Sequence, residues 1–392
     1  MGSLAHSEGD VSPENPTETP TKVWARTVVC EYLLEHLPIY QELTSLKGQG
    51  WDAPAGDTWF QNQRSRADNA DHKLKAGFFK LMRAIGLELD LATSGLTIPT
   101  PMDCRQSRSR RPAILDLCMA PGGFTLAALT RNPGALVRGI SLPRDEGGHE
   151  MLLNKQWSST NTQAPIYVSF RDITLLADEM GVPTSTIPLS HPDAASFSSD
   201  RPFLGQEFDI VFCDGQVLRT QDRHEYRARC EATRLLTSQL VLALSRVRPG
   251  GTIIVLLHKA DAWPSVFLMH TFSQFSASGI ALFKPKKAHR LRSSFYLVAR
   301  GVQPGHKEAR EAVKGWKAKW KLATFGVEGE GGVGVIEGEE EVLGSAAEDK
   351  VRGVLEEFGP ELVRLAGPVF EIQAEALREA PWMKEGVTLD AT

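Results

Sequence analysis

Residues 114–124 read Ile-Leu-Asp-Leu-Cys-Met-Ala-Pro-Gly-Gly-Phe, and this stretch decides the fold. It begins as a short apolar run typical of a buried strand, and a helical pattern starts at Phe124, directly after two glycines. Gly122 and Gly123 permit unusual backbone dihedrals and let a ligand approach the main chain, as in doubly wound α/β domains. A tight turn of this kind also occurs without any ligand, so the glycines alone leave the function open.

Five further apolar runs follow this strand, and helical patterns lie between them. The alternation predicts an α/β domain over residues 113–301, with a mostly parallel sheet covered by helices on both faces. Segment 181–206 is rich in Pro, Ser and Asp and is expected to be an exposed insertion. The predicted strands are 113–117, 136–140, 166–170, 208–213, 252–257 and 294–298.

The chain before this domain is predicted to be mainly helical. Residues 1–21 hold almost no large apolar side chains and are expected to be disordered. Residues 22–112 form a helical preface, in which apolar residues recur at helical spacing around Val28–Leu37 and Lys73–Leu87. A Pro-, Ser- and Arg-rich connection is expected to run from residue 86 to the first strand.

Residues 302–392 are predicted to be a helical C-terminal extension with an accessory role. Its segment 326–341 is rich in Gly and Glu and is interpreted as a linker, too polar to pack. A last amphipathic helix is expected at about 346–378. We expect this helix to be broken, because Pro360 and Pro368 each remove a backbone donor.

The bulk composition excludes little. The 392 residues are 42% hydrophobic and 23% charged, and the net charge of -4 gives no global attraction to nucleic acid or membrane, so a polyanion site must be a local patch. The five cysteines form no C-x-x-C pair of the kind that binds zinc, which predicts no metal site. No secretory signal pattern and no apolar run of about 18 residues is present, so a cytoplasmic or nuclear location is expected.

The segment from Asp116 to Phe124 resembles the first motif of the FtsJ-like ribose 2′-O-methyltransferases, a family that includes rRNA and mRNA-cap enzymes. Three later segments resemble further motifs of that family in the same order, and the resemblance covers about residues 78–301. They are Phe-Asp-Ile-Val-Phe-Cys-Asp-Gly at 208–215, Arg-Pro-Gly-Gly-Thr-Ile-Ile-Val at 248–255, and the last strand with its approach at 282–299. The resemblance implies a Rossmann-like, S-adenosylmethionine-dependent methyltransferase that acts on RNA.

The resemblance also implies a set of cofactor-binding residues. Asp172, after the third strand, would bind the adenine amino group, although an aspartate at such a junction can equally be a helix N-cap. Many methyltransferases place an acid for the ribose hydroxyls after the second strand; here Ser141 stands there, and Asp145 is the nearest carboxylate. The other residues expected around the cofactor are Asp116, Ala120, Pro121, Gly122, Gly123, Phe124 and Asp214.

Members of the family use a lysine-aspartate-lysine-glutamate tetrad, in which a lysine steers the proton of a weakly acidic hydroxyl. Asp214 matches the aspartate, with a helix-capping carboxylate as the alternative interpretation. Lys80, in Phe-Phe-Lys-Leu, resembles the first lysine, although a lysine on the surface of an amphipathic helix would look the same.

The other two tetrad positions depart from the pattern. Leu256 stands where the second lysine is expected, and Ser294 stands where the glutamate is expected. Strand alternation places His258 on the face of Leu256, and Lys259 on the opposite face unless the strand has ended. His258 and Lys259 are therefore the candidate substitutes for the missing lysine, with a purely structural histidine at a strand end as the alternative interpretation of His258.

Three basic clusters are candidate RNA contacts: Arg105–Arg111, Arg219–Arg229 and Lys284–Arg292. Solubilising loops are the alternative interpretation of the same charges. The leading prediction is an S-adenosylmethionine-dependent RNA methyltransferase with the ribose 2′-hydroxyl as acceptor. Two alternatives stay open: a catalytically degenerate cofactor- or RNA-binding scaffold, and a methyltransferase with a non-ribose acceptor.

Overall fold

The computed structural model describes residues 20–51, 56, 58–59, 61–62, 72–99, 110–153, 157–326 and 345–383. Its centre is an eight-stranded sheet with the order β3-β4-β2-β1-β5-β6-β8-β7, in which β8 runs antiparallel to β6 and β7 and all other neighbours are parallel. The strands are β1 Ala113–Leu117, β2 Leu136–Ser141, β3 Trp157–Ser158, β4 Ile166–Phe170, β5 Phe208–Cys213, β6 Val247–His258, β7 Ile280–Phe283 and β8 Ser294–Val302.

Helices cover both faces of the sheet, which is why β1 is apolar on both sides. Ile114 packs in one core with helices α3 and α4, whereas Leu115 packs in a second core with α1, α2, α5, α6 and α8. The helices, numbered among the described residues, are α1 Pro20–His36, α2 Pro38–Trp51, α3 His72–Thr93, α4 Gly123–Arg131, α5 Arg227–Arg246, α6 Trp263–Ser273, α7 Lys307–Phe325 and α8 Ser345–Arg378.

The predicted architecture is confirmed: the fold is a Rossmann-like, mostly parallel α/β sheet with helical segments before and after it. All six predicted strands are present. The short strands β3 and β7 were not predicted, because two or four residues carry too little periodic pattern. Strand β6 begins at Val247, earlier than predicted, and its segment 251–258 finds an antiparallel partner in β8.

One predicted boundary is wrong. Helix α3 continues through Gly86 to Thr93 and does not give way to a loop there. A side chain on Gly86 would stand 2.7 Å from Ala127 Cβ, so this glycine allows α3 to pack closely on α4. Segment 181–206 is largely exposed, and the buried His191 holds it to the domain, because His191 Nε2 lies 3.2 Å from the backbone oxygen of Thr324 in α7.

The C-terminal helix also departs from the prediction. Helix α8 is continuous across Pro360 and Pro368. Its buried face, which includes Leu362 and Phe370, packs in the same core as α1 and α2, and this packing offsets the loss of single backbone hydrogen bonds. Helix α8 is therefore part of the folded core and not a detached accessory. The expected disorder of residues 1–19 and the expected linker at 327–341 lie outside the described residues.

None of the helices in the described part of the chain is long and apolar enough to cross a membrane.

Candidate active site

A cavity of about 320 Å³ opens at the carboxyl ends of the parallel strands, where doubly wound sheets bind their ligands. Loops after β1, β2, β4 and β5 form one part of its wall, and the β6–β8 pair forms the other. Its wall includes these predicted site residues: Ala120, Pro121, Gly122, Gly123, Phe124, Ser141, Asp172, Asp214 and His258.

The turn from Ala120 to Phe124 lies on this wall, as the sequence predicts for the cofactor turn. Gly122 has φ 97°, and a side chain there would stand 2.6 Å from Leu153 Cγ. A side chain on Gly123 would stand 2.6 Å from the backbone oxygen of Phe79 in α3. The chain's own close packing therefore requires both glycines, in addition to any approach of a ligand.

Asp116, near the carboxyl end of β1, and the half-buried Asp214, directly after β5, form an acidic pair on neighbouring strands. Asp116 is buried with only 1% of its surface exposed, and it accepts a hydrogen bond from the hydroxyl of Thr125. Its Oδ1 has no hydrogen-bond partner among the described residues. Burial raises the pKa of Asp116 to about 7. Burial, with Asp116 nearby, raises the pKa of Asp214 well above its ordinary value.

These features fit the amino-acid part of S-adenosylmethionine. Asp214 on the cavity wall suits an ammonium or sulfonium group, because a bound cation would favour the ionised form of a carboxyl group whose pKa is raised in the cofactor-free protein. The unpaired Oδ1 of the neighbouring Asp116 is an unsatisfied acceptor. Helix α4 begins at the same turn with no side-chain cap at Gly122, so its first backbone donors suit a carboxylate. A zwitterion with an adjacent cation therefore matches this end of the cavity.

Asp172 lies at the other end of the cavity and has the N-cap geometry that the sequence left as an alternative. It caps the short helix Ile173–Leu175 by accepting a hydrogen bond from the backbone nitrogen of Thr174. The carboxylate also forms a salt bridge to Arg227, with an Nη2–Oδ2 distance of 2.7 Å, and accepts a hydrogen bond from Gln221. Asp172 therefore faces the cavity already engaged within the chain.

The acceptor side of the cavity is built by β6 and β8. The pairing register places Leu256 opposite Tyr296 and His258 opposite Ser294, and all four line the cavity. Burial lowers the pKa of His258, and the nearby cations, including Arg292, lower it further. Its imidazole is therefore neutral at pH 7, which suits a proton acceptor.

Neither candidate lysine lies on the cavity wall. Lys80 is exposed on α3, whereas its neighbours Phe78 and Met82 line the cavity. Strand β6 ends at His258, and Lys259 follows in a left-handed conformation with φ 53°. The strand has therefore ended before Lys259, and the cavity wall brings His258, but not Lys80 or Lys259, together with Asp214.

The loop before β8 is held by a buried lysine that the sequence analysis assigned to a basic cluster. Lys284 donates hydrogen bonds to the backbone oxygens of His289, Arg292 and Ser294. Burial lowers the pKa of Lys284 to about 7. Lys284 thus fixes the loop that carries His289 and Arg292 to the cavity wall and does not present its charge to a ligand.

The three predicted basic clusters contain both cations that are held within the chain and cations that lie near the cavity. Arg110 forms a salt bridge to Asp209 at the amino end of β5, away from the cavity at the carboxyl ends of the strands. Residues 101–109 lie outside the described part of the chain. Arg227 is buried, whereas Arg219 lines the cavity. Exposed cationic side chains near the acceptor side are Lys286, Lys287 and Arg292.

Several cavity residues were not predicted. Gln216 and Gln221 follow β5, and only their place after the carboxyl end of a parallel strand could have indicated them. His149 and His289 come from loops and carry no pattern that a single sequence reveals. Among the described residues, no group of His, Cys, Asp or Glu side chains is arranged to hold a metal ion.

The acidic pair predicts a pH-dependent stability. Asp116 has a pKa near 7 in the fold, against about 3.9 in an unfolded chain. The folded state therefore retains a proton that the unfolded state has lost, and the free energy of unfolding falls as pH rises from about 5 to 7. The Asp116 contribution approaches about 1.4 kcal/mol per pH unit.

Urea unfolding of the cofactor-free protein at pH 5, 6, 7 and 8 measures this slope. The Asp116→Asn variant cannot lose the proton and is expected to show a shallower fall than the wild type. Equal slopes in the two proteins would contradict the assignment of this titration to Asp116.

Comparison with known proteins identifies a family for this chain. The model of one family, the FtsJ-like methyltransferases, matches residues 102–302. A search of the curated proteins finds no significant match.

Three solved structures are similar to the chain. One is assigned as a ribosomal RNA methyltransferase from Plasmodium falciparum, with 15% identity, 55% of this chain and 93% of that chain covered, and a TM-score of 0.31. The second is human methyltransferase-like protein 13 in complex with SAH, with 13% identity, 67% of this chain and 98% of that chain covered, and a TM-score of 0.32. The third is Streptomyces venezuelae DesVI, with 14% identity, 48% and 57% coverage, and a TM-score of 0.25.

Proposed function

Because this chain belongs to the FtsJ-like methyltransferase family, with S-adenosylmethionine as its cofactor, we propose that it transfers a methyl group to RNA at a ribose 2′-hydroxyl. One observation carries the proposal. A single cavity joins the glycine turn and Asp214 to a neutral histidine, His258, on the acceptor side. A ribose hydroxyl needs such a proton acceptor, because it is a weak acid.

The cofactor supplies an electrophilic methyl group on a sulfonium. The turn at residues 120–124 would hold its amino-acid part, and Asp214 would face the positive charge. The negative charge of Asp214 thus helps to retain and orient the methyl donor.

His258 would take the proton of the hydroxyl. Its Nε2 lies 3.2 Å from the amide nitrogen of Gln216, which can only donate, so Nε2 of a neutral imidazole is the acceptor in this contact. A substrate hydroxyl that replaced the Gln216 amide would find the same lone pair. His258 would therefore do the work that a lysine does in the family's tetrad.

The substrate class is supported by the charge around the acceptor side. Lys286, Lys287 and Arg292 are exposed on the loop that Lys284 fixes, and Arg219 contributes a further cation to the cavity wall. Phosphate groups on either side of a target ribose would be attracted to such a loop.

A second candidate function is a cofactor-binding scaffold without methyl transfer. It is favoured by Leu256, which lines the cavity at the position of the family's second lysine, and by the place of Lys80 outside the wall.

One experiment separates the two functions. The purified protein is incubated with S-adenosylmethionine labelled in the methyl group and with pooled RNA, and the label is mapped after digestion to nucleosides. Label in 2′-O-methylribose supports the proposal. Label in a base or in protein would show that the methyl acceptor is not a ribose hydroxyl. Binding of the cofactor without transfer above an Asp214→Asn control would support the scaffold.

A further inference from the structure

We propose that Gln221, and not Asp172, reads the 6-amino group of the adenine ring of the cofactor. The inference rests on the proposed function only through cofactor binding. It assigns a specificity-determining residue in the loop between β5 and α5, which the sequence motifs do not mark.

The carboxylate of Asp172 already accepts four hydrogen bonds within the chain. Its Oδ1 accepts hydrogen bonds from the backbone nitrogen and the hydroxyl of Thr174, at 2.9 and 2.8 Å. Its Oδ2 accepts hydrogen bonds from Gln221 Nε2 at 3.0 Å and from Arg227 Nη2 at 2.7 Å. A carboxylate offers about four lone pairs, so all of them are used within the chain.

The hydrogen bonds and the ion pair of Asp172 are costly to break. The side chains of Asp172 and Arg227 are 7% and 4% exposed, so their ion pair is shielded from water. Arg227 is also bound to Glu231, and the backbone bond from Thr174 is the cap of the short helix after β4. Removing Asp172 from this network would leave a buried guanidinium with fewer partners and uncap the helix.

Gln221 is positioned to bind the adenine ring of the cofactor. It lines the cavity, and its Nε2 is directed to Asp172. Within the described part of the chain, its Oε1 accepts no hydrogen bond. A side-chain amide that donates through nitrogen to a fixed carboxylate keeps its oxygen available for a donor. The 6-amino group of adenine is such a donor.

The backbone holds this loop in place. Thr220 donates a hydrogen bond through its hydroxyl to the backbone oxygen of Gly147 at 3.0 Å. A side chain on Gly147 would stand 2.4 Å from the backbone oxygen of Thr220 and 2.9 Å from Gln221 Cα. The loop and the turn after β2 are therefore in close contact, which fixes the position of Gln221 before the base arrives.

This arrangement predicts that the protein binds a cofactor with adenine more tightly than one with hypoxanthine. Adenine presents a donor at position 6, whereas hypoxanthine presents an oxygen there. The side-chain oxygen of Gln221 would accept a hydrogen bond from the 6-amino group of adenine, and it would repel the 6-oxygen of hypoxanthine. S-adenosylhomocysteine is expected to bind the wild type about tenfold more tightly than its inosine analogue, as one hydrogen bond and one repulsive contact would give.

Calorimetric titration of both compounds into the wild type and two variants tests the assignment. In Gln221→Ala we expect S-adenosylhomocysteine to bind about five- to tenfold more weakly and the inosine analogue to bind nearly unchanged, so that the preference disappears. The control is Asp222→Asn, the exposed neighbouring residue, which should keep the full preference. Unchanged thermal melting of Gln221→Ala would exclude a folding defect.

Retention of the tenfold preference by Gln221→Ala would overturn the inference, because another group would then read the amino position. A wild type without any preference would overturn it as well. Failure of methyl transfer to RNA with the preference intact would contradict only the proposed function, since the titration measures binding alone.

Discussion

Replacing Asp214 by asparagine is expected to lower methyl transfer by about 100- to 1000-fold, the usual cost of losing one preorganised electrostatic group. The asparagine side chain would keep the shape of the aspartate but lose the negative charge that faces the methyl donor. The same change removes a carboxylate whose pKa is raised by burial beside Asp116. The cofactor-free variant should therefore be at least as stable as the wild type at pH 8.

This combination distinguishes a functional carboxylate from a structural one. Methyl transfer is measured with the labelled cofactor, and stability with urea unfolding at pH 8. The control is Asp209→Asn at the opposite end of the same strand, where Asp209 forms salt bridges to Arg110 and Arg248. That control should lose stability and keep its turnover. A stable Asp214→Asn protein with wild-type turnover would refute the role of Asp214.

Replacing His258 by alanine is expected to lower kcat about 100-fold, because a positioned general base contributes at least that much to transfer from a weak acid. The pKa of His258 lies below the ordinary value for histidine, mainly through burial. The wild-type rate should accordingly fall only when pH drops below about 6.5. The variant should lack this acidic limb.

The pH profile of kcat, measured with saturating cofactor between pH 5 and 8.5, tests the role of His258. His270→Ala is a matched control, because His270 pairs with Glu357 in α8, away from the cavity. It should keep both the rate and the profile. If His258→Ala loses RNA affinity but retains kcat and the acidic limb, His258 binds substrate and is not the base.

Much of the fold follows from local patterns that the sequence displays. The six longest strands are apolar on both faces because helices cover both sides of the sheet, and this pattern survives in a single sequence. The turn at residues 120–124 is equally readable, because two adjacent glycines stand between a strand pattern and a helix pattern, and close packing requires both of them in the fold. Helix α8 was misjudged because proline weakens a helix locally, whereas packing against α1 and α2 depends on residues distant in sequence.

In the site, too, some residues can be predicted from the sequence, whereas the burial and orientation of others cannot. The sequence predicted Asp214, His258 and the glycine turn as site residues, since each lies at a strand end whose register can be counted, and all of them line one cavity. It could not show that Lys80 faces solvent, because residues on several faces of an amphipathic helix fit the same local pattern. It could not show that Lys284 is buried, because its three carbonyl partners are assembled only when the loop closes.

By itself, the sequence determined the strand-turn-helix unit, the mostly parallel sheet and the family, because these depend on periodicity and on motifs contiguous in the chain. Only the tertiary structure decided how charge is distributed in the cavity. The raised pKa values of Asp116 and Asp214, the filled carboxylate of Asp172 and the position of Gln221 arise from burial and from contacts across the sheet. Such effects depend on distances between residues far apart in sequence, which a linear pattern does not contain.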